Sequence, residues 1–159
     1  MKFSNQLIYW YLQNDRDLPW RKSKNPYFIW LSEIMLQQTR VNQGLAYYIT
    51  FTKEFPTVFD LANASESKVL KLWQGLGYYS RARNLHFSAK YIANELNGEF
   101  PSTYDEIKKL KGVGDYTASA ISSICFNKAE AVVDGNVYRV LARYFGIKTA
   151  INSSAGIKE

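Results

Sequence analysis

The segment Leu110-Lys111-Gly112-Val113-Gly114-Asp115-Tyr116-Thr117-Ala118 constrains this chain more than any other. Two glycines two apart stand between a capped helix and a run rich in Ala, Ser and Thr. The cap is Thr103 with Glu106 three residues on, a capping-box pattern. Glycine reaches φ > 0 without a Cβ penalty, so the pair predicts a sharp hairpin between two helices. It also lets a phosphate approach the backbone, and free N–H groups at the start of the second helix attract an anion. A tight turn without a ligand would read the same way. Lys108, Lys109 and Lys111 beside the turn favour DNA phosphate, a contact that anchors and orients without reading sequence.

The rest of the chain reads as all-α. Phe3, Leu7, Trp10 and Tyr11 give helical spacing from about Phe3 to Gln13. Asn25-Pro26 opens a second helix, with Pro26 where its missing N–H costs nothing, and the apolar positions run on to Val41. A further helix is expected from Leu45 to Phe55, stopped by Pro56. Ser65 is an N-cap for Val69, Leu70, Leu72 and Trp73. The clearest amphipathic helix spans Tyr78 to Asn97, with Ala82, Leu85, Ala89, Ile92 and Leu96 on one face and Gly98 at its C-terminal stop. A helix of small residues follows from Tyr116 to Phe126. After an extended Ala131-Val132-Val133, a last helix carries Val137, Val140, Leu141, Tyr144 and Phe145 and ends at Gly146. Asn152 to Gly156 reads as a loop with no closing helix after it. No repeat, alternating strand pattern or low-complexity linker interrupts the series.

Cysteine and histidine counts exclude several chemistries. Cys125 is the single cysteine, so it forms no internal disulfide and builds no zinc or iron–sulfur site alone. His86 is the single histidine, and no nucleophile-elbow sequence accompanies it. No apolar run is long enough to span a membrane, and no signal-peptide pattern opens the chain, so an intracellular protein is expected. The formal charge of +6 together with 16% aromatic residues points to a polyanion whose bases can stack, which is nucleic acid.

Two carboxylates then invite chemistry. Asp134, in Asp134-Gly135-Asn136, stands where the last helix begins and would cap it. There the helix dipole keeps it ionised, so it could also stabilise a cation developing on a sugar. Glu33 sits among apolar neighbours in Trp30-Leu31-Ser32-Glu33-Ile34-Met35-Leu36. Burial would raise its pKa and let it act as an acid; the alternative is an ion pair with Arg21 or Arg40. A buried acid plus a second, ionised carboxylate is the layout that breaks a glycosidic bond. Gln37-Gln38-Thr39 and Gly75-Leu76-Gly77-Tyr78-Tyr79-Ser80-Arg81 are clusters at helix ends that could wedge into a duplex and fill the gap left by an extruded base.

Taken in order, L-P-W-R at 18–21, W-L-S-E-I-M-L-Q-Q-T-R-V at 30–41, G-L-G-Y-Y-S-R-A-R-N-L-H at 75–86, L-K-G-V-G-D-Y-T-A at 110–118 and V-D-G-N-V at 133–137 resemble the N-terminal catalytic part of MutY-type adenine DNA glycosylases, within the helix-hairpin-helix glycosylase superfamily. The resemblance runs from Trp10 to about Phe145. It implies a monofunctional enzyme that flips out adenine mispaired with 8-oxoguanine or guanine in double-stranded DNA and hydrolyses its glycosidic bond. Glu33 would protonate adenine at N7, and Asp134 would stabilise or trap the sugar cation. Tyr116 would sit against the carboxylate pair, and Asn136 would orient the nucleophilic step. Trp20, Arg21 and Leu36 would line the adenine pocket. Gln38 and Tyr78 would enter the base stack, while Thr39 and Leu76 would touch the opposing 8-oxoguanine. Backbone at Gly112, Val113 and Gly114 would hold a phosphate. Related bifunctional enzymes place a lysine where Tyr116 stands, so strong lyase activity is not expected.

Departures from the family matter equally. Its full-length members carry four cysteines for a [4Fe-4S] cluster and a C-terminal domain that reads 8-oxoguanine; this sequence holds neither. On that basis residues 1–26 belong to an incomplete cluster domain. Residues 27–133 form a six-helix-barrel domain with the helix-hairpin-helix at about 103–127. Residues 134–159 begin the truncated remainder of the cluster domain. The chain is then a fragment, with Leu7, Tyr11, Val137 and Leu141 left partly uncovered. A monomer working on DNA in the cytoplasm or nucleoid, without a membrane partner, is expected. A related glycosylase for another base, such as thymine opposite guanine, and a non-catalytic DNA-binding module are the competing readings. Glu33 and Asp134 discriminate against the binding module, which needs neither.

Overall fold

The computed structural model describes residues 2–158, and among them every regular element is helical. Helix α1 spans Phe3–Asn14, a 3₁₀ turn spans Pro19–Lys22, and α2 spans Pro26–Leu36. Then come α3 (Val41–Glu54), α4 (Val58–Asn63), α5 (Glu66–Leu72) and α6 (Tyr79–Glu95). The hairpin pair is α7 (Tyr104–Lys108) and α8 (Asp115–Phe126), followed by α9 (Gly135–Phe145) and α10 (Ser154–Lys158). No helix among the described residues is long and apolar enough to cross a membrane.

Local chemistry starts four of these helices, α2, α5, α7 and α9, where the sequence predicts. Asn25 accepts a hydrogen bond from the Tyr27 N–H at 2.9 Å, with Pro26 at the first helical position. Ser65 accepts from Lys68 and Thr103 from Glu106. Helix α6 ends through Asn97 and Gly98, both in the left-handed region.

Four features differ from the sequence reading. Helix α3 starts at Val41 rather than Leu45, its first turn closed by the Gly44 N–H donating to the Arg40 carbonyl at 2.9 Å. Helix α2 stops at Leu36 rather than running to Val41, because Gln38 turns left-handed at φ 55°. Helix α4 is an additional element, started by a capping box in which Thr57 and Asp60 bond reciprocally. The tail is not a plain loop either: Ser153 Oγ accepts from the Gly156 N–H at 3.1 Å and starts α10.

Helix α2 is the hub. Trp30, Leu31 and Met35 are wholly inaccessible, and the helix packs against α3, α6 and α8 at once. Such a helix is apolar nearly all round. Around it Phe51, Trp73, Leu85, Ile92 and Ile121 complete one core, with the rings of Phe51 and Trp73 edge to face at 5.6 Å. Helices α1 and α9 stand outside that core and bury no residue fully. Leu7 is 47% and Tyr11 43% exposed, whereas Val137 and Leu141 are half-buried. The two helices meet at the rings of Phe3 and Tyr144, 4.1 Å apart.

Helices α7 and α8 pack on each other through the hairpin that joins them. Gly112 has φ +85°, and a Cβ there would lie 2.9 Å from the Cβ of Asn84 on α6. Gly112→Ala therefore combines left-handed strain with a backbone-proximal clash and is expected to destabilise the chain by about 2 kcal/mol. A urea titration reads this directly; an unchanged midpoint would contradict it.

Candidate active site and DNA-facing surface

Glu33 lies on α2 one residue past the buried Ser32, and its side chain lines a cavity of about 390 Å³ with Tyr11, Trp20, Arg21 and Ile124. That volume lies within the roughly 300–1,000 Å³ typical of small-molecule sites. Burial raises the Glu33 carboxyl from 4.5 to about 7. No ion pair to Glu33 occurs among the described residues, so neither Arg21 nor Arg40 holds it. Arg21 instead places its guanidinium 5.4 Å from the ring centroid of Tyr11. Tyr11 is a lining residue that sequence reasoning assigned to helix packing alone.

Asp134 is held in the opposite protonation state. As N-cap of α9 it accepts from the Asn136 and Val137 N–H groups, both at 2.9 Å. Its second oxygen accepts from Asn136 Nδ2 at 3.0 Å, and Arg139 donates in turn to Asn136 Oδ1. The Val137 N–H is the largest influence holding the carboxyl below its ordinary value; bonds from Asn136 and the charge of Arg139 add to it. Tyr116, on the first turn of α8, lies within electrostatic range of both acids. Burial raises its phenol, and the charges of Glu33 and Asp134 both raise it further. Three of the predicted residues thus share one electrostatic environment.

The remaining nucleophile candidates are silenced. Burial and the neighbouring Glu33 push the Cys125 thiol up to about 11, so it stays protonated. His86 is buried beneath α4, and burial followed by the charge of Lys90 lowers its pKa. It is a neutral core histidine. The described residues hold no group of three or more side chains able to bind a metal ion. A four-cysteine cluster therefore does not fit the residues present.

The Gln37-Gln38-Thr39 and Gly75-to-Arg81 clusters meet at one guanidinium. Arg81, 8% exposed, donates through Nη1 to the carbonyls of Ile34 (3.2 Å), Met35 (2.9 Å) and Gln37, and to Thr39 Oγ1 (3.2 Å). Through Nη2 it donates to the carbonyls of Leu76 (3.1 Å) and Gly77 (3.2 Å). It thereby closes the end of α2 and the start of α6 around itself. Gln38 and Tyr78, the exposed tips of these two segments, both have left-handed backbones, with φ 55° and 47°. The sequence singled out Arg81 only as part of a cluster; its signal was an arginine directly before the apolar face that Ala82 and Leu85 bury.

Gln37 Nε2 reaches the Gly112 carbonyl and Thr117 Oγ1, each at 3.4 Å, and so ties this surface to the hairpin.

Several expected contacts are not presented. Leu76 is 5% exposed and packs in the core. Leu36 is outside the Glu33 cavity and lies against Gly44 of α3, where a Cβ would come within 2.8 Å of Leu36 Cδ2. The Val113 N–H is not free for phosphate, since it donates to the Leu110 carbonyl at 3.0 Å. Gly114 begins α8 with no side-chain cap. Lys108 is committed to Asp115 at 2.5 Å.

The chain is similar to known proteins over most of its length. The sequence profile described as "HhH-GPD superfamily base excision DNA repair protein" matches residues 31–157. The adenine DNA glycosylase of Buchnera aphidicola (subspecies Baizongia pistaciae) is 47% identical over 146 residues, covering 91% of this chain and 42% of that protein. Human adenine DNA glycosylase is 47% identical over 150 residues, covering 89% of this chain and 28% of that one. This chain therefore spans less than half the length of either relative. Among solved structures, a thermostable thymine-DNA glycosylase superposes with a TM-score of 0.86 at 30% identity, covering 96% of this chain and 72% of that one.

Proposed function

As the chain belongs to the HhH-GPD superfamily of base excision DNA repair proteins, we propose that its site removes adenine from duplex DNA in which adenine lies opposite 8-oxoguanine or guanine. The observation that carries this reading is the pair of carboxyls with opposed pKa shifts, Glu33 raised and Asp134 lowered, both felt by Tyr116. Titratable groups pushed apart in this way divide acid and base roles. Glu33 gives its proton to N7 of an extruded adenine. The bond from the sugar to N9 then breaks with its electrons going to the base. The cation left on the sugar faces the Asp134 carboxylate, which Asn136 orients, and water completes the hydrolysis. Trp20 and Arg21 flank the base. Gln38 and Tyr78 enter the vacated stack, with Thr39 behind them, and the hairpin backbone at Gly112 and Gly114 takes a phosphate. A purine is favoured over thymine because Glu33 is placed as a proton donor, and thymine has no basic ring nitrogen corresponding to N7.

A single-turnover assay tests this on duplexes carrying adenine opposite 8-oxoguanine, adenine opposite guanine, or thymine opposite guanine, with alkali cleaving abasic sites. Adenine release is expected. Asp134→Asn keeps the oxygen that caps α9 but sets an amide N–H against Asn136 Nδ2, so it should lower thermal unfolding slightly while slowing excision about 100-fold or more. Release of thymine alone, or full activity in that variant, would overturn the reading.

A further inference from the structure

Resting on the reading of the hairpin as a phosphate anchor, we propose that Lys111 contacts a second DNA phosphate beside it, and that Phe87 is the positioning residue that holds the Lys111 ammonium there. Three lysines flank the hairpin, and the structure separates them. Lys108 lies 2.5 Å from Asp115 Oδ1, and the same carboxylate oxygen accepts from Tyr104 Oη. The pair is solvent-exposed, with the two side chains 48% and 73% accessible, and its carboxylate competes with any phosphate for the ammonium. Lys109 is exposed and lines a groove that also carries Glu99 and Glu106, two carboxylates that compete for its charge.

Lys111 differs from both. No ion pair to it occurs among the described residues. Its ammonium sits 4.7 Å from the ring centroid of Phe87. Phe87 is 57% exposed, and the ring is wasted in solvent unless the cation uses it. The backbone beneath is fixed as well. Ser88 Oγ donates to the Lys111 carbonyl at 3.1 Å, and Gly112 closes onto Asn84. Asn84, Phe87 and Ser88 are neighbours on one face of α6, at spacings of three and four. One helix face therefore seats the hairpin and also holds the lysine at its edge. A ring face attracts the cation without neutralising it, so the full charge stays available to a phosphate next to the one bound by the hairpin backbone. A lysine pre-placed in this way loses little side-chain freedom on binding.

The test is fluorescence anisotropy of an undamaged duplex with the whole chain, across about 50–200 mM salt. Removing one phosphate contact lowers the slope of log affinity against log salt by about one. Lys111→Ala is expected to show that drop, with affinity weakened several-fold, and Lys108→Met is expected to keep the parent slope. Phe87→Leu should weaken binding about threefold with the slope retained, because the charge remains but is no longer held, and Phe87→Tyr should restore the parent affinity. Thermal unfolding of each variant checks that the fold is intact. A parent slope in Lys111→Ala, or the loss appearing in Lys108→Met instead, overturns the inference while leaving the anchor standing. A parent chain whose duplex binding shows no salt dependence overturns the anchor itself.

Discussion

Replacing Glu33 by Gln is expected to abolish excision and, above neutral pH, to make the folded chain more stable. The carboxyl is held at about 7 by burial, against an ordinary value of 4.5. Between those values the folded chain keeps a proton that the unfolded chain has released. Stability is therefore highest below about pH 4.5, falls as pH rises through about 7, and levels off beyond. The full gap corresponds to on the order of 3 kcal/mol. Glutamine has no charge to desolvate, so the variant should lack this decline and exceed the parent at pH 8. Excision should fall about 10²–10⁴-fold, the usual contribution of a positioned general acid. In the parent, the single-turnover rate should decrease above pH 7 as the proton is lost. Urea titrations at pH 5 and 8 and a rate profile between them read all three effects. A flat profile in the parent, or a variant less stable than the parent at pH 8, would remove Glu33 from its role.

Arg81→Met should be the most damaging single change to the surface beside that site. Methionine matches the length of the stem but withdraws every donor from the carbonyls of Ile34, Met35, Gln37, Leu76 and Gly77 and from the Thr39 hydroxyl. Losing one side of a buried, charge-assisted network costs about 3–5 kcal/mol. Excision should fall further than the unfolded fraction explains, because Gln38 and Tyr78 lose the group that fixes their segments. Arg81→Lys keeps the charge but not the planar fork, so it should recover only part of both quantities. Urea midpoints and excision rates at a temperature where each variant is folded separate the two effects. A Met variant with the parent's urea midpoint and the parent's excision rate would argue that the network does not matter.

What was legible beforehand follows the range of the interaction involved. Caps at Ser65, Thr103 and Asp134 and the stops at Gly98 and Gly146 depend on residues within one turn, and the structure has them all. The end of α2 was not legible. Its apolar spacing continues past Leu36, and the break is secured by Arg81, more than forty residues away in sequence. Helix α4 escaped notice because its capping box uses Asp60 where a longer acid is the usual sign. Glu33 and Asp134 could be nominated from their immediate neighbours, since one environment is an apolar helix and the other a helix start. The burial of Leu36 and Leu76 and the pairing of Lys108 with Asp115 depend on which helices meet, which no local pattern contains.

The left-handed backbones of Gln38 and Tyr78 bear on how such a protein would search DNA. A non-glycine residue in that region lies about 1–2 kcal/mol above its relaxed state. Here the bend is present before any duplex arrives. On the proposed function, probing a base pair would require no loop to rearrange, so the dwell time at each step would be governed by how readily the pair opens. Well-stacked pairs would be passed quickly, and weakened ones would detain the protein. Discrimination would begin as a difference in residence along the helix, before any proton moves.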